Sequence, residues 1–287
     1  MSIEVAVPCY NEARTVAKVI RDFKAALPEA EIVVYDNASD DGTVAAAETA
    51  GARIVRVNRR GKGCVLQQVF QLSAADVVIV VDGDDTYEAA DARALVQPIV
   101  ENQADMTIGT RLHATEKEFR RMHHVGNRAL TWTLNALFQT EYADILSGYR
   151  AFNRAFRQGV PLISTGFEIE TELMIQAMSC GMVVREVPVR VRQRPPGSES
   201  KLSAIKDGYR ILLTMIGLLR DHRPLFAFSL IGVATFALGL NLWGFGRGGR
   251  AGVLLMELSA VLFFVVFILN TVNTRMRELG SLLRRRP

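Results

Sequence analysis

The sequence has few cysteines and lacks the common nucleotide-binding fingerprints. Cys9, Cys64 and Cys180 are an odd number without Cys-x-x-Cys spacing, so they indicate neither a disulfide framework nor a zinc site and fit a reducing compartment. Neither G-x-G-x-x-G nor G-x-x-x-x-G-K-[ST] occurs, so an NAD enzyme and a phosphate-loop ATPase are both unsupported. Residues 1–10 lack a basic start and a long apolar run, and we expect no signal peptide there.

Acidic and basic side chains are divided unevenly along the chain. Residues 1–199 hold 22 Lys and Arg against 26 Asp and Glu, a net charge of −4, whereas residues 200–287 hold 12 against 4, a net charge of +8. Nucleic-acid binders usually concentrate basic residues on a folded polar surface. A basic segment beside apolar runs instead favours an anionic membrane as the partner, and no nucleic acid.

Residues 1–110 alternate between short apolar runs and segments of helical periodicity. Strands are predicted at residues 3–7, 32–35, 54–57, 77–81 and 106–108. Pro8 is expected to end the first strand. Because helical segments separate the strands, the pattern predicts an α/β fold with a mostly parallel sheet covered on both sides.

Carboxylates follow two of the predicted strands. Asp82, Asp84 and Asp85 come directly after the fourth apolar run, and Asp36 ends the second. The carboxyl ends of such strands face the ligand crevice. Asp82 and Asp84 are two residues apart, so both carboxylates can approach one hard divalent cation, which prefers oxygen ligands and substrate phosphates. A solvated turn is the alternative interpretation, since Asp and Gly are ordinary turn residues.

Other polar side chains are further candidates for a site. Lys62 lies between two glycines at a predicted helix start, where outward N–H groups suit an anion, although a plain loop is the alternative. Residues 190–201 contain four cations and two prolines, which predicts a flexible loop that wraps a phosphate or links two domains. Glu168, Glu170 and Glu172 lie on a predicted helix, where a solvated face is one interpretation of them.

Two apolar segments predict a transmembrane hairpin. Residues 224–246 carry no charge over 23 residues, enough to span a hydrocarbon core of about 30 Å at about 1.5 Å per residue. Residues 251–274 form the second span. Eight arginines flank the outer ends of the pair against two in the connecting loop, so the positive-inside rule places residues 1–200 and a basic tail, 275–287, in the cytoplasm. The hairpin could also pair with a second copy in a homo-oligomer.

Residues 201–223 predict an amphipathic helix that lies in the membrane interface. Apolar side chains recur on one side of it, at Ile211, Leu212, Met215, Ile216 and Leu219. An ordinary core helix is the alternative interpretation.

Seven motifs occur along residues 1–210. They are VAVPCYNE (5–12), VYDNASDDGT (34–43), VVDGDDTY (80–87), GTR (109–111), DILSGYRAF (144–152), GFEIETEL (166–173) and RPPGSESKL (194–202). With these motifs the sequence resembles the family-2 glycosyltransferases, and within them the polyprenyl-phosphate sugar synthases of the dolichyl-phosphate mannose synthase type. The resemblance implies a GT-A type, Rossmann-like fold. It also implies inverting sugar transfer from a UDP- or GDP-linked donor to a membrane polyprenyl phosphate, with Mg²⁺ or Mn²⁺ as cofactor.

The resemblance implies roles for individual residues. The expected nucleotide-sugar contacts are Pro8, Tyr10, Glu12, Asp36, Lys62, Asp82 and Gly83. The expected metal ligands are Asp82 and Asp84. The expected acceptor-phosphate contacts are Arg111, Arg128, Arg194, Ser200 and Lys201. The expected catalytic residues are Asp84, Arg111, Arg128, Arg194 and Lys201. Some relatives have Gln where Thr86 stands, so its part in metal binding stays open, as does the choice between Arg192 and Arg194.

The implied chemistry needs no general base. A lipid phosphate has its second ionisation near about pH 6, so it is largely dianionic in the cytoplasm. The remaining work is to stabilise the leaving diphosphate and to hold the acceptor in line. A processive polysaccharide synthase is less favoured, because Gln-x-x-Arg-Trp and additional spans are absent from the sequence. A transferase for another membrane lipid or glycan, and a non-catalytic nucleotide-binding membrane adaptor, remain as alternatives.

Overall fold

The structure, a computed structural model, describes residues 1–111, 121–195, 204–244 and 249–284. The chain forms two compact units, Met1–Thr214 and Met215–Pro287. The strands are β1 (Ile3–Cys9), β2 (Glu31–Asp36), β3 (Arg53–Arg56), β4 (Val77–Val80), β5 (Met106–Thr110), β6 (Arg150–Asn153) and β7 (Val184–Pro188). The helices are α1 (Val16–Ala26), α2 (Thr43–Thr49), α3 (Lys62–Leu72), α4 (Ala92–Val100), α5 (Arg121–Phe138), α6 (Arg154–Gly159), α7 (Ile169–Ser179), α8 (Ala204–His222), α9 (Pro224–Gly244) and α10 (Gly249–Arg284).

Within the described residues, the strands form one sheet in the order β3-β2-β1-β4-β6-β5-β7. Strands β1 to β4 run parallel, and β7 pairs parallel with β5. The predicted mostly parallel sheet is therefore confirmed. Strand β6 is antiparallel to β4 and places Arg150 opposite Val80. The segment before β6 thus enters the sheet beside the carboxyl end of β4, where Asp82 follows.

Burial on both faces explains the continuous apolar strands. All residues of β4 are buried, and so are nearly all residues of β1 and β2. Helix α1 covers one face with Val16, Val19, Ile20 and Phe23, which recur at helical spacing and are fully buried. Each such side chain contributes about 1.5–3 kcal/mol when it leaves water. The same burial holds the polar strand ends in fixed positions.

The expectation that Pro8 ends the first strand is wrong, because β1 continues to Cys9. Its pairing with β4 stops at Ala6, whereas its pairing with β2 continues through Pro8 and Cys9. The carbonyl of Cys9 accepts a hydrogen bond from Asn37 N on the β2 side, so the backbone of Pro8 faces the other side. The missing N–H of Pro8 therefore removes no hydrogen bond from the sheet.

The apolar residues that the sequence predicts on one side of helix α8 differ in burial. Ile211, Met215 and Leu219 are buried. Leu212 and Ile216 are 38% and 52% exposed. A second apolar stripe on the same helix thus remains available to an apolar environment.

Helices α9 and α10 belong to the second unit and are apolar on most of their surface. By length and composition, Pro224–Gly244 and Gly249–Arg275 could each cross a membrane, and only 12% and 17% of their most apolar stretches are buried. Glycines bring the two helices together, because a Cβ on Gly239 would lie 2.7 Å from the carbonyl oxygen of Gly252, and the reverse also holds. These two helices fit the predicted hairpin.

Candidate active site

The loops after β1, β2 and β3 are joined by side-chain hydrogen bonds at the carboxyl edge of the sheet. Asn11 Nδ2 donates to Asp40 Oδ1 at 2.8 Å, and Asp40 N donates back to Asn11 Oδ1 at 3.0 Å. Asn37 Nδ2 donates to two carbonyls of the β3–α3 loop, and Asn37 Oδ1 accepts from Gly61 N at 2.7 Å. These contacts form a rigid floor around Asp36.

Asp36 has an unsatisfied acceptor in this floor. Its side chain is almost completely buried, and Oδ2 accepts from Ser39 N at 3.3 Å. Oδ1 is buried and has no hydrogen-bond partner among the described residues. A buried carboxylate oxygen without a donor is costly. It therefore suits a ligand that brings a hydroxyl or an N–H group.

The other expected nucleoside contacts lie beside this floor. Pro8, Tyr10 and Glu12 are partly buried, and the guanidinium of Arg60 lies 4.7 Å from the centroid of the Tyr10 ring. The loop after β1 also reaches the acids after β4, because Thr15 Oγ1 donates to the Gly83 carbonyl at 2.6 Å. A Cβ at position 83 would lie 2.6 Å from the Cys9 sulfur, so the Cys9 side chain would have to shift to admit any other residue there.

Lys62 lies between Asp82 and Glu170. Its Nζ is 2.6 Å from Asp82 Oδ1 and 2.7 Å from Glu170 Oε1. Burial lowers the pKa of Lys62, but the charges of the two carboxylates outweigh burial, and the pKa lies above its ordinary value. Burial raises the pKa of Asp82, whereas the charge of Lys62 outweighs it and holds this pKa below its ordinary value. Both groups are therefore ionised at neutral pH.

The anion interpretation of the α3 start is wrong for its two glycines. Gly61 N donates to Asn37 Oδ1, and Gly63 N donates to the Thr165 carbonyl at 3.0 Å. A Cβ on Gly63 would lie 2.1 Å from the Ser164 carbonyl oxygen. The glycines thus allow backbone to pack closely on the helix end instead of leaving their N–H groups open.

Asp84 is held by one near neighbour and one distant arginine. Its Oδ1 accepts from the backbone N of Thr86 at 3.1 Å and from the Thr86 hydroxyl at 2.5 Å. Its Oδ2 lies 2.5 Å from Arg194 Nη2. Burial and the charge of Asp82 raise the pKa of Asp84 above its ordinary value. In this structure Thr86 orients Asp84 through a short turn.

Arg192 is engaged elsewhere. It forms a two-pronged ion pair with Glu88, and its Nη1 lies 3.0 Å from Asp85 Oδ1 and 3.3 Å from Asp22 Oδ2. Lys18 bridges Asp22 and Asp85 at 2.8 Å each. Arg192 therefore anchors its segment, whereas Arg194 reaches the acid pair. Nothing in the sequence relates Asp22 to Arg192, because a long chain separates them.

Arg111 and Asp144 form a second buried pair near the acids. Arg111 Nε and Nη2 lie 2.5 and 2.8 Å from the two Asp144 oxygens, and Asn127 Nδ2 donates to Oδ1 at 3.1 Å. Burial raises the pKa of Asp144, but the charge of Arg111 outweighs burial and holds the pKa below its ordinary value. Arg111 is thus fixed in direction before any substrate arrives.

The remaining candidate residues differ in burial, and two of them lie outside the described residues. Arg128 lies on an exposed position of α5. The solvated-face interpretation is wrong for Glu170 and Glu172, which are buried on α7. Glu172 accepts from Ile163 N at 2.9 Å and from Ser164 N at 2.7 Å. Ser200 and Lys201, with the rest of residues 196–203, lie outside the described residues.

The donor set after β4 fits a hard divalent cation. Asp82 and Asp84 offer carboxylate oxygens, and the charge of Asp82 raises the pKa of Asp84, so the two negative charges lie close enough to repel. A divalent cation would relieve this repulsion. Within the described residues no group of three or more His, Cys, Asp and Glu gathers around one point. Further ligands would therefore be substrate oxygens, as is common for Mg²⁺ sites.

Comparison with known proteins finds relatives that are glycosyltransferases. The profile of Glycosyl transferase family 2 matches residues 4–160. Glycosyltransferase AglJ of Haloferax volcanii is 38% identical over 240 residues, which cover 83% of this chain and 78% of that protein. A dolichyl-phosphate hexose transferase of the same organism is 26% identical over 223 residues, which cover 77% of this chain and 95% of that protein.

A solved structure of similar fold contains a nucleotide sugar. It is glucosyl-3-phosphoglycerate synthase from Mycobacterium tuberculosis in complex with Mn²⁺, uridine-diphosphate-glucose and phosphoglyceric acid. Its TM-score is 0.61 at 20% sequence identity, and the match covers 76% of this chain and 79% of that chain. This likeness confirms the GT-A type fold.

Proposed function

The chain belongs to glycosyl transferase family 2 and is a glycosyltransferase, and from this membership we propose that it transfers a sugar from a nucleotide sugar to a membrane polyprenyl phosphate. The transfer inverts the configuration at the sugar carbon. One observation carries the proposal. The acids Asp82 and Asp84 follow β4 at the carboxyl end of the sheet, and Arg194 Nη2 lies 2.5 Å from Asp84 Oδ2.

The donor side of the proposal rests on Asp36 and the acid pair. The buried, unpartnered Oδ1 of Asp36 suits a donor group of a nucleoside. Asp82 and Asp84 would hold Mg²⁺ or Mn²⁺, which when bound stabilises the charge of the leaving diphosphate. Mn²⁺ and uridine-diphosphate-glucose in a structure of the same fold support a metal and a UDP- or GDP-linked donor.

The acceptor side rests on cations and on the absence of any need for a base. Arg194 offers a planar fork that matches phosphate oxygens, and Arg111, whose Nε and Nη2 bind Asp144, contributes positive charge to the site. Arg128, Ser200 and Lys201 complete the proposed phosphate site. The acceptor phosphate is already largely dianionic at neutral pH, so these residues bind and orient it rather than deprotonate it. The similarity to a dolichyl-phosphate hexose transferase supports a lipid phosphate as acceptor.

The membrane part of the proposal places the acceptor at the same surface. Residues 224–246 and 251–274 span the bilayer, with residues 1–200 and 275–287 in the cytoplasm. The exposed stripe with Leu212 and Ile216 lies in the interface. A polyprenyl tail then stays in the bilayer while its phosphate lies at the surface.

Sugar transfer to matched lipids tests this function. Membranes from cells that express the chain, and from cells that do not, are incubated with Mn²⁺, radiolabelled UDP- or GDP-sugars and either undecaprenyl phosphate or undecaprenol. The proposal predicts label in the organic phase only with the chain and with the phosphorylated lipid. Equal labelling of the phosphate-free lipid, or no labelling with any donor, would contradict it.

A further inference from the structure

Both oxygens of Asp84 are engaged by protein donors, but the donors differ in how firmly they are held. Thr86 binds Oδ1 through its backbone N–H and its hydroxyl, two residues along the same turn. Arg194 binds Oδ2 from a distant part of the chain. The Asp84 side chain is 5% exposed, whereas the Arg194 side chain is 36% exposed. Arg194 is therefore the partner that can leave.

A divalent cation and the Arg194 guanidinium compete for this carboxylate. Two positive groups on one buried acid repel strongly, because the Asp84 side chain is 5% exposed and its surroundings screen charge poorly. The Thr86 contacts do not conflict with a cation, since they orient the acid through its other oxygen. Binding of a cation at Oδ2 thus requires the guanidinium to move.

The movement can be confined to one side chain. Two residues earlier, Arg192 is paired with Glu88 and Asp85, and its backbone N donates to the Thr86 carbonyl at 2.7 Å. These contacts hold the backbone at Arg192 against residues 85–88. A displaced Arg194 side chain therefore stays close to Asp84 and can bind an anionic ligand beside it.

We propose that Arg194 is an exchangeable partner that couples the two substrates: it holds Asp84 until a divalent cation with a nucleoside diphosphate takes its place, and the released guanidinium then binds the acceptor phosphate. This inference rests on the proposed function, which assigns the cation to Asp82 and Asp84. The contact with Asp84 opposes cation binding in the free enzyme. The donor thereby prepares the acceptor site.

Binding of Mn²⁺ tests the exchange without sugar transfer. The full chain in detergent micelles is titrated with Mn²⁺ in the presence of UDP, and separately of GDP, and free Mn²⁺ is measured by electron paramagnetic resonance. Arg194→Gln removes the competing charge, so we expect about fivefold to tenfold tighter Mn²⁺ binding than in the wild type, within the usual range of site coupling. Arg190→Gln is the matched control, because Arg190 is an exposed arginine of the same segment that pairs with Asp91 instead.

The outcomes separate the inference from the proposed function. Tighter binding by Arg194→Gln, with Arg190→Gln equal to the wild type, supports the exchange. Equal or weaker binding by Arg194→Gln, while the wild type binds Mn²⁺, overturns the exchange and leaves the metal site intact. If no form of the chain binds Mn²⁺ with either nucleotide, the metal assignment fails and the exchange fails with it.

Discussion

Lys62 and Glu170 form an ion pair, with 2.7 Å between Nζ and Oε1 and with the two side chains 12% and 6% exposed. The same ammonium lies 2.6 Å from Asp82. A Cβ at position 148 would lie 2.4 Å from Asp82 Oδ2, so Gly148 leaves the room that this arrangement needs. Glu170 thus shares the charge of Lys62 and limits how strongly the ammonium holds Asp82.

Glu170→Gln is expected to weaken Mn²⁺ binding about tenfold, because Lys62 then competes for Asp82 with its full charge. It should also lower the free energy of unfolding by about 1–3 kcal/mol, since a buried charged contact is lost. Glu172→Gln is the control on the same helix. Its amide keeps one acceptor oxygen and loses the other, so one of the contacts from Ile163 N and Ser164 N is lost, and stability should fall while Mn²⁺ affinity stays unchanged. Wild-type Mn²⁺ affinity in Glu170→Gln would contradict this role.

Asp144→Asn is expected to destabilise the protein by about 3 kcal/mol at neutral pH, because it leaves the buried Arg111 without its counter-charge. Burial raises the pKa of Asp144 and Arg111 outweighs it, so the folded-state pKa lies below the ordinary value of 3.8. The pair therefore stabilises the fold above that value and ceases to do so as the pH falls through the folded-state pKa. Thermal unfolding from pH 7 to pH 3 should show the wild-type advantage shrinking below about pH 4. A pH-independent advantage would exclude this account.

Gly239→Ala is expected to destabilise the second unit by about 1–3 kcal/mol, because the added Cβ overlaps the Gly252 carbonyl oxygen. Gly244→Ala is the control in the same helix, since a Cβ there meets nothing within 4 Å. Its melting temperature should stay level or rise slightly, as alanine favours a helix over glycine. Thermal unfolding in detergent micelles compares the two variants. Equal effects would show that helix propensity, not packing, dominates.

Arg192→Gln and Arg194→Gln are expected to differ in stability. Arg192 has three acidic partners, so its loss should lower the free energy of unfolding by about 1–2 kcal/mol. Among the described residues Arg194 pairs with Asp84, which keeps two hydrogen bonds from Thr86, so the loss of Arg194 should lower the free energy of unfolding by less than the loss of Arg192 does. Urea denaturation of both variants checks this order. The reverse order would mean that Arg194, not Arg192, anchors the segment.

The sheet could be predicted from the sequence because its strands are buried on both faces and read as unbroken apolar runs. The acids at the carboxyl ends of β2 and β4 followed from the same pattern. The prediction that Pro8 ends the first strand was wrong because the effect of a proline depends on which neighbouring strand its backbone faces. That relationship becomes known only from the register of β1 with β2 and β4.

The partners of the site residues could not be predicted in the same way. Glu170 resembles a residue of a solvated helix face, and only the folded structure shows that it is buried and pairs with Lys62. Arg192 pairs with Asp22 and Glu88, which lie far away in the sequence, whereas Arg194 pairs with Asp84. The sequence shows which charged side chains lie in a segment, whereas ion pairs with distant residues decide which of them reaches the acids after β4.

The central claim is that Asp84 acts in sugar transfer through a divalent cation, and the measurement that tests it most directly is sugar transfer to undecaprenyl phosphate by purified Asp84→Asn. Asp91→Asn, which alters an acid outside the acid pair, serves as the control. We expect Asp84→Asn to lose at least about 100-fold in rate while its melting temperature stays near that of the wild type, and Asp91→Asn to keep its activity. Full transfer activity in folded Asp84→Asn would contradict the account.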